Sequence, residues 1–311
     1  MLDTDDNAQR KYLDALIKKG HLISTGEPGV FGRGRDFERV VNGVDDAVTR
    51  LGADDPDIDV WRFPPVVTRK TFERSGYMSS FPTLAGIVHS FVGGEREQMK
   101  LLGEVEAGGD WSKSFPPTHV CLTPAACYPV YPAIAAAGPL GPNGRTVDVQ
   151  SYCFRHEPSD DPARMQMFRQ REHVRLGTPE VVQEFRQRWL DRGVQLMNKD
   201  LQLPGGPDIA NDPFFGRGGK ILAQNQRENS LKFEILIPIT STEKPTACVS
   251  FNYHQEHFGH LFGIKQADGS EAHTACFGFG LERCALALFM HHGLDLAGWP
   301  ASVRERLALS L

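Results

Sequence analysis

Apolar residues at Phe37, Val40, Val41, Val44, Ala47, Val48 and Leu51 recur at i, i+3, i+4 and i+7, which predicts an amphipathic helix over 36–51 with Asp36 as its cap. A second helix over 178–200 is marked by Thr178 at the cap, Pro179 at the first position and Glu180 in the first turn, with Val182, Phe185, Trp189 and Leu196 along one face. A shorter helical pattern at Tyr12, Leu13, Leu16 and Ile17 precedes a glycine-rich loop from Gly26 to Gly34. The stretch 151–176 predicts a hairpin: Phe154-Arg155-His156-Glu157 alternates apolar and polar, Pro158 to Ala163 is a turn-rich loop, and Met165 to Val174 is the returning strand. Further strands are expected over 59–67, closing on prolines, and over 231–238 and 246–252, the last two beside the hairpin. From 201 to 230 the pattern is irregular, with a short helix over 221–229.

Composition narrows the class. With 311 residues, 40% apolar and 23% charged, the chain has the make-up of a globular protein with room for one large domain or two small ones. No run approaches the roughly 18 consecutive apolar residues of a membrane span. Acidic residues stand at the N-terminus where a signal peptide carries positive charge, so a cytoplasmic protein away from membranes is expected. The net charge of -5 argues against a large nucleic-acid footprint. Cysteines at 121, 127, 153, 248, 276 and 284 form no C-x-x-C pair, so any metal site must be assembled from distant segments.

Arg155 and Glu157 are two apart, so on a strand they point from one face. A guanidinium fork there can neutralise phosphate and a carboxylate can accept from an exocyclic amine, while Phe168 on the return strand offers a stacking surface. An isolated pair of this kind is most often a solvated cross-strand ion pair. Its company is Gly278-Phe279-Gly280-Leu281-Glu282-Arg283. This order and separation resembles motifs 2 and 3 of class II aminoacyl-tRNA synthetases, and the helix over 36–51 with its proline-ended strand resembles motif 1, which builds their dimer interface. The resemblance implies an α+β fold, an antiparallel sheet flanked by helices, in a homodimer, with ATP held bent upon it. Tyr77 to Pro82 would then be the first crossover into the active site.

The segment Val120 to Val130 resembles the part of seryl-tRNA synthetases where a Thr-x-Glu element holds the amino acid, but Cys127 stands at the glutamate's place. Either that pocket is dead or a metal intervenes. If the hairpin and the glycine-rich helix start flank one pocket, Cys127, Glu172 at the end of the returning strand, and Cys276 converge on it. Two sulfurs and a carboxylate would leave tetrahedral Zn²⁺ one open position for a substrate α-amino group. The same set matches the zinc site of the atypical seryl-tRNA synthetases of methanogens.

Only about 36 residues precede the first long helix, too few for the tRNA-binding domain of those enzymes. A zinc-type core without it is similar to the amino acid:[carrier protein] ligases, over roughly residues 37–311. That resemblance implies a single catalytic domain over 1–311 with 1–36 as an extension. It also implies activation of glycine or alanine by ATP, and transfer to the phosphopantetheine thiol of a carrier protein, without tRNA. Arg155 would stabilise the α-phosphate, Glu157 would read the adenine amine, Phe168 would stack on the base, and Arg283 would clamp the other face and the γ-phosphate. Mg²⁺ is expected with ATP; no carboxylate stands near Thr246 or Val249, where the family's acidic ligand falls, leaving Glu234 or Glu243, with Asn252 as a polar contact.

Alternatives are a trimmed seryl-tRNA synthetase and a silent paralogue that binds a partner. Arg217, Lys220 and Arg227 in the irregular segment are the expected basic face for an acidic carrier, ahead of Arg186, Arg188 and Arg192 on the Thr178 helix. His257-Phe258-Gly259-His260 lacks the context of the class I H-x-G-H signature, and His254, His257 and His260 are the lesser metal candidate.

Overall fold

The amphipathic stretch forms the helix Arg35–Leu51, starting one residue earlier than its pattern suggests. Gly34, with extended backbone, precedes the first turn, and Asp36 lies inside that turn and pairs with Arg39 at 3.2 Å instead of capping. The computed structural model describes the backbone of residues 4–55 and 57–310, and the side chains of these except residues 4–6, Arg217 and Gly218. Thr178 caps the helix Pro179–Val194 by accepting from the Val181 amide, and a π-helical turn, Gln195–Asp200, extends it.

Among the described residues twelve strands follow in chain order. β1 (Leu22–Ser24) and β2 (Phe31–Arg33) make a ribbon, β3 is Ile58–Arg62, and β4 (Val66–Thr68), β5 (Ile87–His89) and β6 (Pro117–Leu122) make a small sheet. The central sheet adds β7 (Arg145–Phe154), β8 (Met167–Gly177), β9 (Gly206–Ile209), β10 (Lys232–Ile237), β11 (Thr246–Gln255) and β12 (His273–Gly280), in the order β3-β7-β8-β12-β11-β10-β9.

Several expectations change here. The sheet is mixed, because β3 runs parallel to β7 while the other pairs are antiparallel. The strand expected over 59–67 breaks at Pro64-Pro65, which cannot donate to a ladder, and its halves join different sheets. β12 inserts beside β8, so β10 and β11 do not border the hairpin directly. The hairpin's first strand ends at Phe154, although the Arg155 amide still donates to the Gln166 carbonyl at 2.9 Å. Segment 201–230 is less irregular than its composition suggests: β9 extends the sheet and Gly216–Glu228 is a helix.

Strand periodicity of two sorts the side chains. On one face, Phe277 and Phe279 of β12, and Val249 and Phe251 of β11, pack beneath the helices Arg35–Leu51, Pro179–Val194 and Leu281–His292, with Trp189 stacked 4.0 Å from Phe277. The same face holds a buried ion network. Arg169 pairs with Glu282 at 2.8 Å and Glu38 at 2.7 Å, Arg33 reaches Glu282 at 3.2 Å, and Arg171 bridges Asp148 and Asp45. Glu282, read in the sequence as part of a nucleotide motif, is 1% exposed and ties the Leu281–His292 helix to the sheet. The N-terminal segment belongs to this core too: Leu16 and Leu22 are buried, and the Tyr12 hydroxyl donates to the Leu286 carbonyl at 2.6 Å.

Breaking such a network on one side leaves buried charge uncompensated. The Glu282→Ala protein should therefore lose about 3 kcal/mol of unfolding free energy or more, seen as a lower urea midpoint at unchanged slope. A midpoint equal to the parent's would show that the network contributes nothing.

Candidate active site

The opposite face of the sheet is the floor of a cavity of about 520 Å³. Alternate residues supply it: Phe168, Gln170 and Glu172 from β8; Cys276, Gly278 and Gly280 from β12; Ser250 and Asn252 from β11; Lys232 and Glu234 from β10. Register lines up Glu234, Ser250, Gly278 and Glu172 in one row across four strands. Gly278 keeps the row open, since a Cβ there would stand 3.2 Å from Glu172 Cγ. Tyr77 and Phe81, on the short turns after the small helix Arg69–Arg74, form one wall, as expected for a crossover; Asp212, Phe214 and Gln226 form another.

At one end of the floor stand Cys127, Glu172 and Cys276, all buried, with ligand atoms within 4.8 Å of one another. It is the only such group of three among the described residues. Cys127 lies in the turn between β6 and the helix Val130–Ala136, and Glu172 is at the middle of β8, not its end. The Ala126 amide donates to Glu172 Oε1 at 2.9 Å, Asn252 Nδ2 donates to Cys276 Sγ at 3.5 Å, and His254 Nε2 lies 3.7 Å from the same sulfur. The hydrogen bond with Cys127 pulls the Cys276 thiol well down, while that bond and burial push Cys127 up. Burial, then the charge on Cys276, raises Glu172 to about 8. Three acidic groups crowded out of water, oriented by amide donors, fit a bound divalent cation of the zinc type. His260 points elsewhere, to Glu271 at 3.0 Å, and forms no metal group with His254 and His257.

The other end is cationic. Arg155 lies 5.3 Å from the Phe168 ring and donates to the Pro124 carbonyl; Arg283 donates to the Ala163 and Ala247 carbonyls at 2.9 and 3.1 Å. Neither guanidinium has a carboxylate partner among the described residues, and burial followed by the charge of Arg155 pulls Arg283 down. Two half-buried positive groups facing a cavity, without a carboxylate partner among the described residues, suit a polyanion.

Glu157 departs from expectation. Its amide donates to the Arg155 carbonyl in a turn, its carboxylate pairs with Arg164 at 3.2 Å, and it is not part of the cavity wall. Glu234 and Asn252 are in place, and Glu243 is exposed on the loop before β11. Lys220 and Arg227 are exposed on the Gly216–Glu228 helix, Arg227 donating to Asn211 Oδ1; Arg217 is in the same helix with its side chain outside the described residues. The sequence reading missed Asp212 and Lys232, a buried ion pair in the cavity wall that also engages Gln226 and Glu234. Only the facing segment gives these residues meaning, and no local pattern announces that.

No protein-family model matches the chain. Amino acid–[acyl-carrier-protein] ligase 1 of Bradyrhizobium diazoefficiens is 48% identical over 297 residues, 96% of this chain and 90% of that protein. Ligase 2 of the same organism is 48% identical over 285 residues, 92% and 84%. The type-2 serine–tRNA ligase of Methanopyrus kandleri is 28% identical over 198 residues, 60% of this chain and 37% of its own length. The crystal structure of M. kandleri SerRS in complex with A. aeolicus tRNASec superposes with a TM-score of 0.78 at 20% identity, covering 98% of this chain and 60% of that one, which shows a class II synthetase-like fold.

The Cys276→Ala protein, purified with care to avoid chelators, should carry less than about a tenth of the parent's zinc by plasma mass spectrometry, because a tetrahedral site rarely survives loss of a thiolate. Full zinc retention would show that the trio is not the site.

Proposed function

The chain belongs to the amino acid–[acyl-carrier-protein] ligases, and on that premise we propose that it activates a small amino acid, glycine or alanine, as its adenylate and passes it to the phosphopantetheine thiol of a carrier protein. The observation that carries this reading is the division of one cavity between an acidic, metal-type end and an unpaired cationic end. An amino acid presents an ammonium and a carboxylate; ATP presents phosphates. The cavity offers each a matching end.

Zn²⁺ held by Cys127, Glu172 and Cys276 would supply, when bound, an open position for an α-amino group. Arg155 is placed to neutralise charge that builds on the α-phosphate as the amino acid's carboxylate oxygen attacks phosphorus and pyrophosphate leaves. Phe168 offers its face to the adenine, and Arg283 takes the other side and the γ-phosphate. The Glu157–Arg164 pair is half exposed and worth at most about 1 kcal/mol, so the carboxylate can exchange it for the adenine amine. Glu234 would offer a carboxylate to the Mg²⁺ that accompanies ATP, while Asn252, bonded to Cys276 Sγ, would be a polar contact toward the acidic end. In the second step the carrier's thiolate attacks the carbonyl carbon of the adenylate, a thioester C–S bond forms and AMP departs with the C–O electron pair.

Gly278 faces Glu172 across the row, and a Cβ there would stand 3.2 Å from Glu172 Cγ, so the floor at the acidic end tolerates no side chain at 278 without a shift. We further place the carrier on the Gly216–Glu228 helix. Its Lys220 and Arg227 are exposed, Ile221 is 72% exposed, and Leu222 and Gln226 of the same helix line the cavity mouth. Arg217 joins this set on sequence alone. A single catalytic domain over 1–311, working as a homodimer in the cytoplasm, is the assembly this reading implies; among the described residues no helix is long and apolar enough to cross a membrane.

Two measurements test it. Arg155→Ala should lower amino-acid-dependent pyrophosphate exchange about 10²-fold or more with the fold intact by circular dichroism; near-normal exchange would remove the basis for the assignment. Lys220→Glu with Arg227→Glu should slow aminoacyl transfer to the carrier and make it less salt-dependent, while exchange survives. If transfer and exchange fell together, the helix would be part of the active-site framework and not the docking face.

A further inference from the structure

Among the described residues of the N-terminal segment, 7–36, none lines the cavity, yet several touch the loop that leads into and out of Arg155. Three attachments are made. At the loop's tip, Gln9 Nε2 lies 3.4 Å from Asp161 Oδ2, and Arg10 pairs with Asp160 at 3.2 Å. At its return, Arg33 Nη2 donates to the Met167 carbonyl at 2.6 Å. Between them the turn Pro28-Gly29 of the β1–β2 ribbon meets Gln166.

Gln166 is the joint. It is 5% exposed. Its side-chain Nε2 donates to the Pro28 carbonyl at 2.9 Å and its amide donates to the Gly29 carbonyl at 2.8 Å. On the other side its carbonyl accepts from the Arg155 amide at 2.9 Å, and its Oε1 lies 3.3 Å from His156 Nδ1. One buried residue is thus bonded both to the N-terminal ribbon and to the two residues where β7 gives way to the loop. Gly29 makes the approach possible. Its φ of +75° is left-handed, and a Cβ would stand 3.1 Å from Gln166 Cγ and 3.2 Å from the Arg164 carbonyl oxygen.

We propose that the Pro28-Gly29 turn, acting through Gln166, holds Arg155 in register for the nucleotide, which makes Gln166 a positioning residue for ATP binding. Arg155 needs such a support because its strand has ended at Phe154, and the only backbone ladder bond left to it is the one to Gln166. Beyond that bond, its guanidinium rests on a 3.3 Å contact to the Pro124 carbonyl and on Phe168. A guanidinium with no carboxylate partner takes its direction from its backbone, and displacement by about 1 Å is enough to cost a site of this kind one to two orders of magnitude. The inference rests on the reading of Arg155 as an ATP ligand, and the test separates the two.

ATP dissociation constants are measured by calorimetry for the parent, Gln166→Ala, Gly29→Ala, Arg155→Ala and the Gln166→Ala/Arg155→Ala double variant, with melting temperature and zinc content recorded for each. Gln166→Ala should weaken ATP about tenfold in the parent and less than about twofold in the Arg155→Ala background, because the glutamine acts through the arginine. Gly29→Ala should weaken ATP in the same direction, and zinc content should not move. Equal weakening by Gln166→Ala in both backgrounds, or none in the parent, overturns the positioning role. If Gln166→Ala does not fold, Gly29→Ala and its double variant with Arg155→Ala carry the same cycle with the same two outcomes. Arg155→Ala binding ATP like the parent would instead sink the reading of Arg155 itself, independently of Gln166.

Discussion

Buried charge that the chain does not neutralise by itself is the constraint on which the rest of this structure depends. On the helix-covered face of the sheet every deep charge is answered: Arg169 by Glu282 and Glu38, Arg171 by Asp148 and Asp45. On the cavity face the pattern reverses. Cys127, Glu172 and Cys276 crowd within 4.8 Å, and the half-buried Arg155 and Arg283 face the cavity; among the described residues the trio has no lysine or arginine paired to it and the two arginines have no carboxylate. Groups withheld from water without a partner are driven toward their neutral forms, as the raised Cys127 and Glu172 show, unless something else completes them. A cation at one end and a polyanion at the other would complete both, so the same imbalance that leaves the empty site unsatisfied would prepare it for its ligands.

The strand period turns this imbalance into a layout. Because successive residues face opposite sides, β8 sends Arg169, Arg171 and His173 to the helix-covered face and Phe168, Gln170 and Glu172 to the cavity. β12 does the same with phenylalanines to the core, and with Cys276, Gly278 and Gly280 to the floor. The glycines therefore read as room left for a substrate between two charged ends. His173 illustrates the opposite side: burial holds its imidazole down to about 3, neutral among Trp189 and Phe277.

What the sequence made legible follows from range. The Thr178 cap and the helix over 35–51 are local, and both appear where the pattern places them, with the start shifted because Gly34 and not Asp36 ends the preceding chain. The trio at 127, 172 and 276 is not local; it emerged from a resemblance to zinc-dependent enzymes, and the fold does bring the three ligand atoms within 4.8 Å of one another. The misreadings also have causes. Alternation over 154–157 continues past the strand's end because Arg155 keeps one ladder bond, so the pattern does not reveal that the strand stops at Phe154 and that Glu157 pairs with Arg164 in this structure. Hydrophobic periodicity carries no strand direction, which hid the parallel β3. Asp212, Lys232 and Gln166 are ordinary polar residues whose roles arise only from partners elsewhere in the chain.

The central claim is that the acidic end serves the amino acid and the cationic end serves ATP. The most direct test strips the protein of metal with a chelator, then measures ATP binding and glycine- or alanine-dependent pyrophosphate exchange before and after zinc is restored. The account predicts that exchange disappears with the metal and returns with it, while ATP affinity stays within about twofold, as expected for separable sites. Undiminished exchange in the metal-free protein, or ATP binding that falls away with the metal, would contradict it.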